Sequence, residues 1–114
     1  MTVLIVDAAN VVGSVPDGWW RDRRGATERL RDRLAGRGET QEVLLVVEGA
    51  ARGVGSVSGV RVVPASGSGD DKIVELAAEH AKGGCRVATS DRALRARLTA
   101  PGVTCVSPRT VDPR

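Results

Sequence analysis

The chain has 114 residues, with 15 Arg and 2 Lys against 14 acidic residues for a net charge of +3, and its aromatics are two Trp with no Phe or Tyr. That length suits one domain over residues 1–114, with a core of Val, Leu, Ile and Ala, and the basic balance favours polyanionic partners. Cys85 and Cys105 form no Cys-x-x-Cys pair and His80 is the single histidine, which leaves a disulfide framework or zinc site unsupported; the short apolar start lacks a basic leader, so a soluble cytoplasmic protein with free thiols and no membrane partner is expected.

The chain opens with Val3-Leu4-Ile5-Val6, a run that reads as a fully buried strand of a parallel sheet. It stops on Asp7, at the carboxyl rim where open α/β sheets bind ligands, and Asn10 follows within one short turn. A long exit loop is expected from Gly13 to about Arg21, holding Pro16-Asp17-Gly18 and Trp19-Trp20-Arg21. A helix follows from Asp22 or Arg23 to Ala35, with Ala26, Leu30 and Leu34 as its apolar stripe and Gly36 and Gly38 as its stop. Arg29, Arg31 and Arg33, partly balanced by Glu28 and Asp32, read as a solvated surface.

Val43–Val47 is a second buried strand, closed by Glu48-Gly49; a Gly- and Ser-rich connection then leads to a short strand at Val60–Val63. Asp70–Lys82 reads as a helix carrying Ile73, Leu76 and Ala77 on one side, with His80 at the edge of that face. A strand at Arg86–Thr89 runs into Ser90-Asp91 and a helix with Leu94 and Leu98 inside; the last strand is Val103–Val106, and the tail from Ser107 reads as an extended strap. Strands alternating with helices, without a hairpin signal, argue for an α/β fold: a three-layer α/β/α sandwich around a mostly parallel sheet of about five strands.

Acids gather where those strands end and helices begin: Asp7, Glu48, Asp70, Asp71 and Asp91. Parallel strands bring them to one rim, and if the strands ending at Asp7 and Asp91 are neighbours, the two face each other across the switch-point crevice. Crowded carboxylates repel, and a hard divalent cation such as Mg²⁺ or Mn²⁺, which takes oxygen ligands and keeps several waters, cancels that repulsion. Taken singly, Asp70 also suits a helix N-cap and Asp91 a helix start. Arg21, Arg23, Arg24 and Arg92 near the rim suit phosphates, and Trp19 and Trp20 suit stacking on unpaired bases, with core packing the other use for at least one Trp.

Asp7-Ala8-Ala9-Asn10, Ser68-Gly69-Asp70-Asp71-Lys72-Ile73 and Ala88-Thr89-Ser90-Asp91-Arg92 resemble, in order and spacing, the three motifs of the NYN branch of PIN-like nucleases. The resemblance implies a PIN-like sandwich and a metal-dependent ribonuclease acting on single-stranded or structured RNA. It implies Asp7, Asp70 and Asp91 as catalytic, metal-binding acids, with Asp71 auxiliary and Asn10 and Ser90 supporting. Ala8 stands where the family often has Gly, and Glu48 where Asp is common. The chain is also similar to small bacterial proteins labelled nucleoside-triphosphate pyrophosphohydrolases, which puts the same metal chemistry on a nucleotide. A non-catalytic RNA-binding or toxin–antitoxin-like module is the third reading, and a homodimer is left open.

Overall fold

The computed structural model describes residues 2–37 and 41–114. Its strands are β1 (Val3–Asp7), β2 (Glu42–Val47), β3 (Arg61–Pro64), β4 (Cys85–Ala88) and β5 (Val103–Val106). They form one sheet in the order β3-β2-β1-β4-β5, parallel throughout. The helices are α1 (Ala8–Gly13), α2 (Arg23–Gly36), α3 (Gly69–His80), α4 (Arg92–Arg97) and α5 (Pro108–Val111).

β1 is the middle strand of the five, and every one of its residues is buried. Alternation along the strand divides the core in two. Leu4 and Val6 face the layer of α1, α2 and α5, packing with Val11, Leu30, Leu34 and Val111. Val3 and Ile5 face α3 and α4, packing with Ile73, Leu76 and Leu94. The three-layer α/β sandwich expected from the alternating pattern is therefore the architecture observed. The chain builds outward from β1 through β2 to β3, then returns to lay β4 on the other side of β1. Chain order reverses between β1 and β4, and that reversal opens a crevice above their carboxyl ends.

Several local expectations need correction. Residues after Asp7 form α1 at once instead of a turn, because Ala8, Val11 and Val12 recur at helical spacing and bury on the sheet, outweighing the low helix propensity of paired valines. The loop that follows shortens accordingly, and Trp19–Arg21 is itself a turn of 3₁₀ helix. α2 ends at Gly36, one residue beyond the expected Ala35, and Arg37 takes the C-cap in a right-handed conformation and donates to the carbonyls of Thr110 and Val111. Gly38 lies outside the described residues.

The tail is not a strap. Pro108 starts α5, Val111 buries, and Asp112, 5% exposed, receives a two-pronged ion pair from Arg33 (2.8 and 3.0 Å), so this arginine is not a solvated one. The 48–60 connection holds only a 3₁₀ turn (Gly49–Ala51) and a bridge between Val57 and Val60, and Arg24 and Arg31 donate to its carbonyls at Gly53 and Gly55. Cys85 and Cys105 are free thiols, and burial pushes that of Cys85 up to about 11. No helix among the described residues is long and apolar enough to cross a membrane.

Candidate active site

The site grows from the end of β1. Four buried apolar residues carry the chain to the rim and deliver Asp7 there with 5% exposure. Its Oδ1 accepts from the backbone N–H of Asn10 (3.4 Å), capping α1, and its Oδ2 accepts from the Thr89 hydroxyl (2.9 Å). Burial pushes the Asp7 carboxyl up to about 6; the Thr89 and Asn10 hydrogen bonds oppose this, and the charges of Asp70 and Glu48 reinforce it.

β4 supplies the other wall of the crevice. Thr89 follows it, fully buried, and its hydroxyl oxygen also accepts from the N–H of Asp91 (3.2 Å), so one side chain ties Asp7 to Asp91. Asn10 Oδ1 accepts from both the N–H and the hydroxyl of Ser90 (2.8 and 3.0 Å), fastening α1 to the β4–α4 loop. Asp91 caps α4 through Leu94 N–H (3.1 Å), as its position at a helix start allowed. Asn10 and Ser90, both singled out from sequence, thus prove to be partners of each other. Thr89 was missed, although a β-branched hydroxyl following a buried strand, within the last motif, was the available signal.

The third wall comes from β2 and α3. Glu48 follows β2, and its Oε2 accepts from Gly69 N–H (2.9 Å). A Cβ at Gly69 would lie 3.1 Å from that carboxyl group, so glycine lets α3 approach the acid closely. Asp70 is not the cap of α3, contrary to one expectation: Ser68 caps the helix through Asp71 N–H (3.2 Å). Partial burial raises the Asp70 pKa, the charges of Asp91 and Glu48 raise it further, and Arg97 opposes them. Asp71 turns to the surface, where it pairs with Arg97 at 2.9 Å.

Asp7, Glu48, Asp70 and Asp91 therefore come from four separate parts of the chain, and their charges are linked: Asp70 and Glu48 act on Asp7, and Asp91 and Glu48 act on Asp70. Among the described residues no three acidic, His or Cys side chains close into a ready-made ligand cluster. All-oxygen donors gathered loosely around a basin fit a hard cation that keeps part of its water shell, and fit poorly a soft metal in a tight cage.

Beside the basin, α1 and α2 enclose a cavity of about 290 Å³ bounded by Ala9, Val12, Trp19, Arg23, Thr27 and Glu48. Trp19 packs partly into the core, and the Arg23 guanidinium lies over its ring at 5.3 Å. Trp20 meets Trp19 edge-on and is 53% exposed, with Arg21 over its own ring at 5.9 Å. Of the arginines singled out from sequence, Arg23 lines the cavity, Arg24 donates to Gly53 O at 3.3 Å, and Arg92 is exposed just after Asp91.

No family model matches the chain, and no curated protein matches it. Among solved structures, the fold is similar to that of Rae1 (YacP) from Bacillus subtilis, determined as a mutant. The TM-score is 0.82 at 21% identity, over 99% of this chain and 74% of that one. At that identity the likeness is one of fold.

Proposed function

We propose that the chain is a divalent-metal-dependent ribonuclease that hydrolyses RNA phosphodiester bonds at the acid basin above the β1/β4 crevice. The observation that carries this reading is the burial of Asp7 at the end of the central strand, its carboxyl pushed up to about 6 with Asp70 and Glu48 beside it. Packing gives no reason to bury an ionisable group among other acids, and sites of chemistry commonly do so. The resemblance of three motifs to NYN-type nucleases supports the same residues, and the likeness of fold supports the architecture that assembles them.

Asp7, Asp70 and Asp91 would hold Mg²⁺ or Mn²⁺, with Glu48 adjoining and Asp71 at the outer edge. The ion, when bound, supplies a water of lowered pKa and offsets charge on the phosphate. The chain's own part is positioning. Thr89 fixes Asp7 relative to Asp91, the Asn10–Ser90 hydrogen bonds hold the two walls together, and Gly69 lets Glu48 sit against α3. Arg92, exposed beside Asp91, borders the basin and meets the phosphates of an incoming strand.

The test is cleavage of an end-labelled single-stranded RNA with Mn²⁺ or Mg²⁺, wild type beside Asp70→Asn, with a nucleoside triphosphate offered in parallel. Metal-dependent RNA cutting that is lost in the variant supports the proposal. Hydrolysis of the triphosphate alone replaces it with a pyrophosphohydrolase, and inertness toward both overturns the enzymatic reading.

A further inference from the structure

The cavity between α1 and α2 has a composition unlike that of the acid basin it adjoins. Ala8, Val12 and Ala51 give it an apolar floor, Trp19 an aromatic wall, and Arg23 a planar cation, while Ala9 and Glu48 stand at its edge. Its volume of about 290 Å³ falls just below the roughly 300–1,000 Å³ range of sites for drug-sized molecules, which suits a single flat ring system. A phosphate is a poor occupant, because the Glu48 carboxylate and the neighbouring acids repel it. An aliphatic chain is also poor, because it leaves Arg23 and Glu48 unmatched. A nucleobase matches all of these features: π faces for Trp19 and the guanidinium, and N–H donors for the carboxylate. Glu48 belongs to both places, since it lines the cavity and also acts on Asp7 and Asp70. A base seated here thus has its own sugar–phosphate at the basin.

We propose that this cavity seats one unpaired nucleobase of the RNA beside the phosphodiester to be cut, so that cleavage requires a nucleotide unstacked from its neighbours. The choice of ligand rests on the nuclease reading. Bases paired in a duplex must be extruded to enter, so loops, bulges and single strands are the substrates and continuous duplex is spared.

The first measurement is Trp fluorescence in a Trp20→Phe protein, where Trp19 is the remaining indole, titrated without metal and with EDTA by guanosine or adenosine, which carry no phosphate for the acids to repel. Ribose serves as the baseless control. Saturable quenching by the nucleosides, absent with ribose and lost in Ala9→Phe, which fills the cavity from an exposed position on α1, supports the proposal. Quenching by none of the probes, equal quenching by ribose, or quenching indifferent to Ala9→Phe overturns it. The second measurement needs no variant. It compares an RNA with and without a single abasic nucleotide at the cut position, where loss of the base should lower kcat/KM about tenfold, the low-to-middle range of one stacking contact. RNA cutting indifferent to the abasic position overturns the cavity and leaves the nuclease reading standing. Base-dependent quenching in a protein that cuts no RNA does the reverse.

Discussion

Replacing Asp7 by Asn removes a charge that the fold accommodates poorly, so the variant should be more stable than the wild type at neutral pH while losing metal-dependent activity. Burial, with the charges of Asp70 and Glu48, moves the Asp7 carboxyl from 3.8 to about 6. A shift of that size corresponds to about 3 kcal/mol of destabilisation once the group is ionised. The direction follows from proton counting. Between 3.8 and about 6 the folded chain holds a proton that the unfolded chain has given up, so stability falls as pH rises through that window and is level above it.

An Asn amide can still accept from Asn10 N–H and donate to Thr89 Oγ1, at the loss of about 1 kcal/mol of hydrogen bonding. The net gain is then about 2 kcal/mol, or roughly 8 °C in melting temperature for a chain of this size. Thermal melts of both proteins in EDTA at several values between pH 4 and 8 check this. The gap should open through pH 5 and reach its full size above pH 6.5. A gap of the same size at pH 4, or a variant less stable than wild type at pH 7.5, would refute the reasoning.

Three further outcomes follow from particular contacts. Asp112→Asn should destabilise by about 2 kcal/mol through loss of the charged pair with Arg33; burial raises this carboxyl, but Arg33 and Arg114 overcome it and hold it below the ordinary range. That contribution is present above the unfolded pKa and disappears as pH falls through the lowered one, so the two melting curves should converge in strong acid. Gly69→Ala places a methyl 3.1 Å from the Glu48 carboxyl and should reduce RNA cleavage about tenfold, with a melting temperature changed by less than the equivalent of ~1 kcal/mol. Thr89→Val removes a hydrogen bond that lowers the Asp7 pKa, so the acid limb of the pH–rate profile should move upward, and Thr89→Ser should restore it.

Much of this architecture is legible in the residues themselves. Val3–Val6 and Val43–Val47 are apolar on both faces, a property that strands between two helical layers need, and each run is followed by or ends on an acid. What escaped reading depends on tertiary partners. Ala8–Val12 carries too few residues for its helical spacing to stand out from a turn, and only the sheet beneath it makes the helix favourable. Arg33 and Asp112 are distant in sequence, so nothing local distinguishes that arginine from its solvated neighbours on α2. Ser68 and Asp70 both suit an N-cap by type; the backbone entering α3 decides for the serine.

That last choice bears on function. Three of the four basin acids also serve the backbone: Asp7 caps α1, Asp91 caps α4, and Glu48 accepts from Gly69. Asp91 and Glu48 could be retained for that reason alone, whereas Asp7 caps α1 with a charge that the fold accommodates poorly. Asp70 caps no helix among the described residues, and its charge works against Asp7. Folding therefore gains nothing from Asp70 as an acid, and Asp70→Asn should leave the structure intact while letting the Asp7 pKa fall toward the ordinary carboxylate value. A chemical denaturation curve that shows Asp70→Asn at least as stable as wild type, together with lost RNA cleavage, would separate chemistry from scaffolding at a single position. A destabilised Asp70→Asn would mean that this carboxylate, too, belongs to the scaffold.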